Sequence, residues 1–188
     1  MLSSYKMEAY SNCIFDYDNT ICRIPINWKL ERTKFKQFAF NKFCFRFQDS
    51  LTVEEMEKEL LKKFPKKANL VYLFRSNLED NHKNDHILNK NILSEITIGR
   101  NNFIVSNNLT ETVFSGLKLY KLDHFFKEVI GVDFSFSPKP YMDSWLYLKN
   151  KYSLLESNTI MYGDNPLTDG LFAKNANIVF SNIMFNPK

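Results

Sequence analysis

Apolar residues along this chain fall into two rhythms. Short apolar runs bounded by polar residues predict buried strands at 11–16, 103–105, 128–132, 159–162 and 178–180. Apolar residues at helical spacing predict helices over Trp28–Phe47, Val53–Phe64, Pro65–Leu78, Ile87–Ile96, Thr110–Leu122, Pro140–Tyr152 and Pro166–Asn175. In the first of these the expected inward face is Leu30, Phe35, Phe38 and Phe43. Thr52 followed by Glu55 is a capping-box pattern, Pro65 suits a first helical turn, and Gly99 suits a helix end.

Strands alternating with helices through short links predict an α/β fold, a doubly wound parallel sheet of Rossmann-like type. The alternation holds in residues 1–21 and 99–188. Residues 22–98 interrupt it with helices alone, so the expectation is a core of 1–21 and 99–188 carrying an inserted α-helical segment of 22–98.

Composition narrows the class. At 188 residues and 44% hydrophobic content, the chain can bury a proper core. A net charge of +4 is too mild to indicate nucleic-acid binding. The charge is uneven, about +5 over residues 21–98 and −1 elsewhere. That imbalance reads as a solvated helical face or as a basic surface over an anionic substrate. Cys13, Cys22 and Cys44 have neither metal spacing nor a paired pattern, and Cys13 sits in an apolar run as a buried thiol. With no signal-peptide pattern and no bilayer-length apolar stretch, a reducing, cytoplasmic setting is expected.

In an open parallel sheet, ligands bind beyond the carboxyl ends of the strands. The predicted strands end in chemistry there. The first runs into Asp16-Tyr17-Asp18-Asn19-Thr20, the second into Ser106-Asn107, and the fourth into Gly163-Asp164 followed by Asp169, while Lys139 precedes the helix after the third. A carboxylate at such a rim can hold Mg²⁺ and attack a phosphoryl group. Each residue also has a plain structural reading. Asp16 and Asp18 could form an Asx turn, Ser106 could cap a helix, Lys139 could be a loop lysine, and Asp169 could complement a helix dipole. His82, His86 and His124 match no motif and read as surface residues.

Taken in order, these motifs resemble the haloacid dehalogenase-like superfamily of hydrolases, in the phosphatase branch that includes phosphoglycolate phosphatases and phosphosugar mutases. The likeness covers the whole predicted core and is poorest in the inserted helices, which stand where the family's helical cap stands. The resemblance implies a Mg²⁺-dependent phosphomonoester hydrolase acting on a small phosphorylated metabolite. It makes Asp16 the nucleophile of an aspartyl-phosphate intermediate and Asp18 the general acid and base. Thr20, Ser106 and Asn107, with Lys139, would bind phosphate, and Lys139 would offset the accumulated negative charge. Mg²⁺ would be held by Asp16, Asp18 through its backbone carbonyl, and Asp164, with Asp169 a ligand or an orienting group behind the ligands. A phosphosugar mutase, or a binding protein that keeps the fold without activity, are the alternatives. Arg23, Trp28 and Lys29 are candidates for substrate contact by position alone. Lys62, Lys63, Lys66 and Lys67 read as a solvated patch, or as a substrate or partner surface.

Overall fold

In the computed structural model, residues 10–96, 99–135 and 138–187 are described. The expected boundary at Ile98 lies outside them, as do residues 1–9. The chain forms two compact units, dividing after Ile24 and again after His82.

The first unit is built on a five-stranded parallel sheet. Its strands are β1 (Asn12–Phe15), β4 (Asn101–Val105), β5 (Phe126–Ile130), β6 (Thr159–Gly163) and β7 (Val179–Asn182), in the order β5-β4-β1-β6-β7. A second, antiparallel pair joins β2 (Cys22–Arg23) to β3 (Ile87–Leu88). Between the strands of the large sheet lie α4 (Thr110–Leu119), α5 (Val132–Ser135), α6 (Asp143–Tyr152) and α7 (Leu171–Asn175). Parallel neighbours require crossovers, and helices in the crossovers cover the sheet. β1, β4 and β6 therefore carry apolar runs over 13–15, 103–105 and 160–162, each after a buried or half-buried polar start. Ile14, Phe103, Val105, Ile130 and Met161 pack with Trp145, Leu148 and Phe172 from the helices. Phe15 stacks on Tyr162 with ring centroids 5.0 Å apart.

Register sets the functional rim. Phe15 pairs with Ile104 on one side and Tyr162 on the other, so β1, β4 and β6 end level. The Asp16 N–H donates to the Tyr162 carbonyl (2.8 Å) and the Ser106 N–H to the Ile130 carbonyl (2.9 Å). The sheet thus delivers Asp16, Ser106 and Asp164 to the same edge.

The second unit consists of α1 (Trp28–Phe43), α2 (Val53–Lys63) and α3 (Ala68–Asp80), with a 3₁₀ turn at Pro65–Lys67. Phe35, Ala39 and Phe43 recur every four residues and bury one stripe of α1 against Val53, Met56 and Leu60 of α2 and Val71 of α3. At about 1.5–3 kcal/mol for each large apolar side chain, this cluster supplies most of the unit's cohesion. Thr52 and Glu55 complete the expected capping box. Leu30, expected inside, is 49% exposed, because the buried stripe runs through Phe35 and Ala39 instead.

Other elements also differ from the sequence pattern. Residues 87–96 are not a helix. Ile87–Leu88 is a strand and Lys90–Ile92 a 3₁₀ turn, because the backbone there bonds to distant residues: the Asn89 N–H donates to the Ile21 carbonyl (2.8 Å). α6 starts at Asp143 rather than Pro140, and Pro166–Gly170 is a π-helical turn ahead of α7. β5 lies two residues earlier than expected. No helix among the described residues is long and apolar enough to cross a membrane.

Candidate active site

Asp16 is the first residue past β1 and is almost fully buried. Both carboxylate oxygens are engaged: Lys139 Nζ donates to Oδ1 (2.6 Å) and Thr20 Oγ1 donates to Oδ2 (3.2 Å). The turn that brings Thr20 back is closed by the Tyr17 carbonyl, which accepts from the N–H groups of Thr20, Ile21 and Cys22. Asn19 takes the left-handed conformation (φ 59°) at its apex, where a short polar side chain is tolerated. Asp18 is half-buried, and its Oδ1 accepts from the Ile24 N–H (3.0 Å).

Lys139 is 2% exposed, and its ammonium bridges two carboxylates, lying 2.6 Å from Asp16 Oδ1 and 2.6 Å from Asp169 Oδ1. Its backbone is fixed from the loop after β4: the Lys139 N–H donates to Asn107 Oδ1 (2.8 Å). The Asn107 side chain thus holds the lysine loop. Ser106 Oγ accepts from the Asn108 N–H (3.1 Å), a local turn two residues long, and so does not cap the following helix, whose first flanking residue is Leu109.

The loop after β6 carries Asp164 and Asp169. Asp169 is positioned by the π-helical turn, in which the Asn165 N–H donates to its Oδ2 (3.1 Å). Gly163 leaves room for it, since a Cβ there would stand 2.4 Å from Asp169 Oδ2. Carboxylate oxygens of Asp16, Asp164 and Asp169 all lie within 4.8 Å of one another.

Three carboxylates around one ammonium leave the site with excess negative charge. Burial pushes the Asp16 carboxyl up to about 8; the Lys139 ammonium pulls it down, while Asp169 and Asp164 raise it. Asp164 is raised as well, by burial and then by Asp169. The two carboxylates raise Lys139 against the opposing effect of its burial. Carboxylate oxygens alone are the donor set that suits a hard divalent cation such as Mg²⁺, and its charge would relieve this repulsion. The residues fit the ion.

Comparison with known proteins agrees with this architecture. The family model described as haloacid dehalogenase-like hydrolase matches residues 13–183. The chain belongs to this family. Over 75 residues the hydrolase is 36% identical to pyrophosphatase PpaX of Halalkalibacterium halodurans; that match takes in 40% of this chain and only 34% of the relative. Its fold is similar to a haloacid dehalogenase-like hydrolase from Bacteroides fragilis (TM-score 0.65, 18% identity, 92% of this chain and 87% of the other). It is also similar to a predicted phosphoglycolate phosphatase from Haemophilus somnus (TM-score 0.64, 16% identity, 95% and 87%).

Asp16, Thr20, Lys139, Asp164 and Asp169 therefore converge. Arg23 donates to Asn19 Oδ1 (2.8 Å) and lies over the Phe185 ring, Lys29 is exposed, and Trp28 packs against the core of the helical unit. Lys62, Lys63, Lys66 and Lys67 are exposed, with Lys63 over the Phe45 ring and Lys67 bonded to the Lys42 carbonyl. His86 corrects the surface reading. It is buried and hydrogen-bonded to the Tyr17 hydroxyl. Nothing in its sequence neighbourhood marks it, because its partner is 69 residues away.

Proposed function

We propose that this hydrolase is a Mg²⁺-dependent phosphatase that cleaves a small phosphomonoester through an aspartyl-phosphate. The observation that carries the reading is the buried Asp16–Lys139–Asp169 bridge at the strand rim, with Asp164 beside it. Such an arrangement fixes one carboxylate as a nucleophile and places positive charge where a phosphoryl group's charge would accumulate. A divalent cation held by Asp16, Asp164 and the Asp18 carbonyl would offset charge on the phosphoryl oxygens. Asp16 forms the new bond to phosphorus while the ester P–O bond breaks and the leaving oxygen takes a proton from Asp18. Asp18 then accepts a proton from water as the water attacks phosphorus and releases phosphate, restoring the Asp16 carboxylate. Thr20 keeps the Asp16 carboxylate oriented. Ser106 and Asn107, past β4, bind the phosphoryl oxygens alongside Lys139, and Asp169 holds the ammonium in place. The helices inserted after β1 serve as the cap that discriminates among substrates.

The test is phosphate release from a panel of phosphoglycolate, sugar phosphates, nucleotides and pyrophosphate, with Mg²⁺ and with chelator. Pyrophosphate belongs in the panel because the partial relative is named a pyrophosphatase. Mg²⁺-dependent release supports the reading. Isomerised sugar phosphate without free phosphate would make the protein a mutase, and no turnover at all would make it a binding protein.

A further inference from the structure

The turn that carries the reactive carboxylates is gripped by a segment the family motifs do not include. Tyr17, between Asp16 and Asp18, is fully buried, and its hydroxyl is hydrogen-bonded to His86 Nδ1. The His86 carbonyl in turn accepts from the Tyr120 hydroxyl, just past α4. Helix α4 passes so close to the pair that a Cβ at Gly116 would stand 1.6 Å from the Tyr17 hydroxyl oxygen and 1.9 Å from His86 Nδ1. Three residues on, Asn89 is also fully buried. Its side-chain N–H donates to the Thr20 carbonyl (2.9 Å) and its backbone N–H to the Ile21 carbonyl (2.8 Å). Its Oδ1 accepts from the N–H groups of Asn91 (3.3 Å) and Asn186 (3.2 Å). Pairing of β3 with β2 completes the grip at Cys22 and Arg23.

Residues 86–89 thus hold the turn at Tyr17, Thr20, Ile21, Cys22 and Arg23. A phenol hydroxyl can donate or accept, so a neutral imidazole satisfies it in either tautomer. Breaking the pair would remove a fully buried hydrogen bond that no water replaces, which favours a single arrangement of the turn. Core packing alone would be served by apolar side chains at both positions. A polar pair at a glycine contact fixes direction as well as volume.

We propose that His86 and Asn89 are positioning residues for the reaction, clamping the 17–22 turn so that Asp18 presents its carboxyl at the leaving oxygen. The consequence for rate rests on the phosphatase reading; the clamp itself does not. A displacement of about 1 Å in a catalytic group can cost on the order of a hundredfold in rate.

The experiment compares wild type with His86→Ala, Asn89→Ala, Tyr17→Phe and the conservative His86→Asn. A core control, Val129→Ala, supplies a matched loss of thermal stability. Two readouts are taken: amide hydrogen exchange, and Mg²⁺-dependent hydrolysis of p-nitrophenyl phosphate. In His86→Ala, Asn89→Ala and Tyr17→Phe, protection is expected to fall at the amides of Thr20, Ile21 and Cys22 but not in β1. kcat should fall roughly tenfold to a hundredfold with KM little changed. His86→Asn should restore part of both, and Val129→Ala should keep wild-type kcat. Should His86→Ala not fold, Tyr17→Phe keeps the ring volume and decides the matter. Unchanged turn protection, a loss spread evenly through β1, or a kcat that tracks thermal stability in the control too would overturn the proposal. A wild type inert on the full substrate panel would instead overturn the phosphatase reading, and the exchange pattern would still decide the clamp.

Discussion

Replacing Lys139 by Met removes one ammonium and keeps most of the side chain's volume. In the native protein that ammonium lies 2.6 Å from one oxygen of Asp16 and 2.6 Å from one of Asp169, in a site almost closed to solvent. Removing one partner of a buried ion pair costs about 3–5 kcal/mol when the remaining charge is left uncompensated. The carboxyls can avoid that cost by protonating, so the loss depends on pH. Asp16 already has a folded-state pKa raised to about 8, with Lys139 as its largest lowering influence, and in the variant it must rise further. A carboxyl raised on folding binds more protons in the native than in the unfolded state, so its contribution to stability falls as pH rises from about 4 through 8. In metal-free buffer, Lys139→Met should therefore be only mildly destabilised at pH 5 and lose most at pH 9. The high-pH difference corresponds to a Tm decrease of roughly 6–20 °C for a chain of this size. Added Mg²⁺ should recover part of the loss in thermal melts. At neutral pH, kcat should drop by on the order of 10²–10³, the usual cost of removing one charge-stabilising group. A Tm difference independent of pH and Mg²⁺, or a variant of near-normal kcat, would refute this view of Lys139.

Gly163→Ala puts a Cβ 2.4 Å from Asp169 Oδ2 and should force Asp169 away from Lys139; overpacking of about 1–3 kcal/mol is expected in thermal melts, with kcat reduced more than KM is raised. Glu57 shares the Arg75 guanidinium with Glu79, and burial pushes its carboxyl up to about 7, so this group's contribution to stability falls as pH rises from about 4.5 to 7. Glu57→Gln should raise Tm at pH 8 and leave it nearly unchanged at pH 4; equal effects at both would count against the assignment. Thr52→Ala removes one half of the capping box and should cost about 1 kcal/mol, read as a Tm lower by roughly 2–4 °C.

The legible part of the site followed from burial. β1, β4 and β6 are covered on both faces, so each closes in an apolar run, and the first polar residue beyond that run is at the rim. That logic reached Asp16, Ser106 and Asp164 from pattern alone. β5 begins two residues before its apolar pattern suggests, because Lys127 and Glu128 interrupt the run just after Phe126 on this edge strand, Glu128 being held by Lys151 and Tyr152 from α6. Leu88, Ile92 and Ile96 suit helical spacing, yet the backbone partners of this segment include distant residues that no local pattern encodes. The same reason hid His86 and Asn89. Their partners, Tyr17 and Thr20, are each 69 residues away, and only the fold brings them together. The helical unit shows its apolar stripe and its cap in sequence but not the Glu57–Arg75–Glu79 cluster: Arg75 and Glu79 are an ordinary i,i+4 pair on α3, and Glu57, which joins them, stands on α2.

The central claim is that the Asp16 carboxylate becomes covalently phosphorylated. Acid quenching during turnover of a ³²P-labelled substrate, taken from the panel that supports phosphate release, tests it directly. Wild type should retain label on protein that is released by hydroxylamine, as an acyl-phosphate is, and peptide mapping should place it at Asp16. Asp16→Asn should neither retain label nor release phosphate. Undiminished turnover by Asp16→Asn, or label mapping to another residue, would contradict the account.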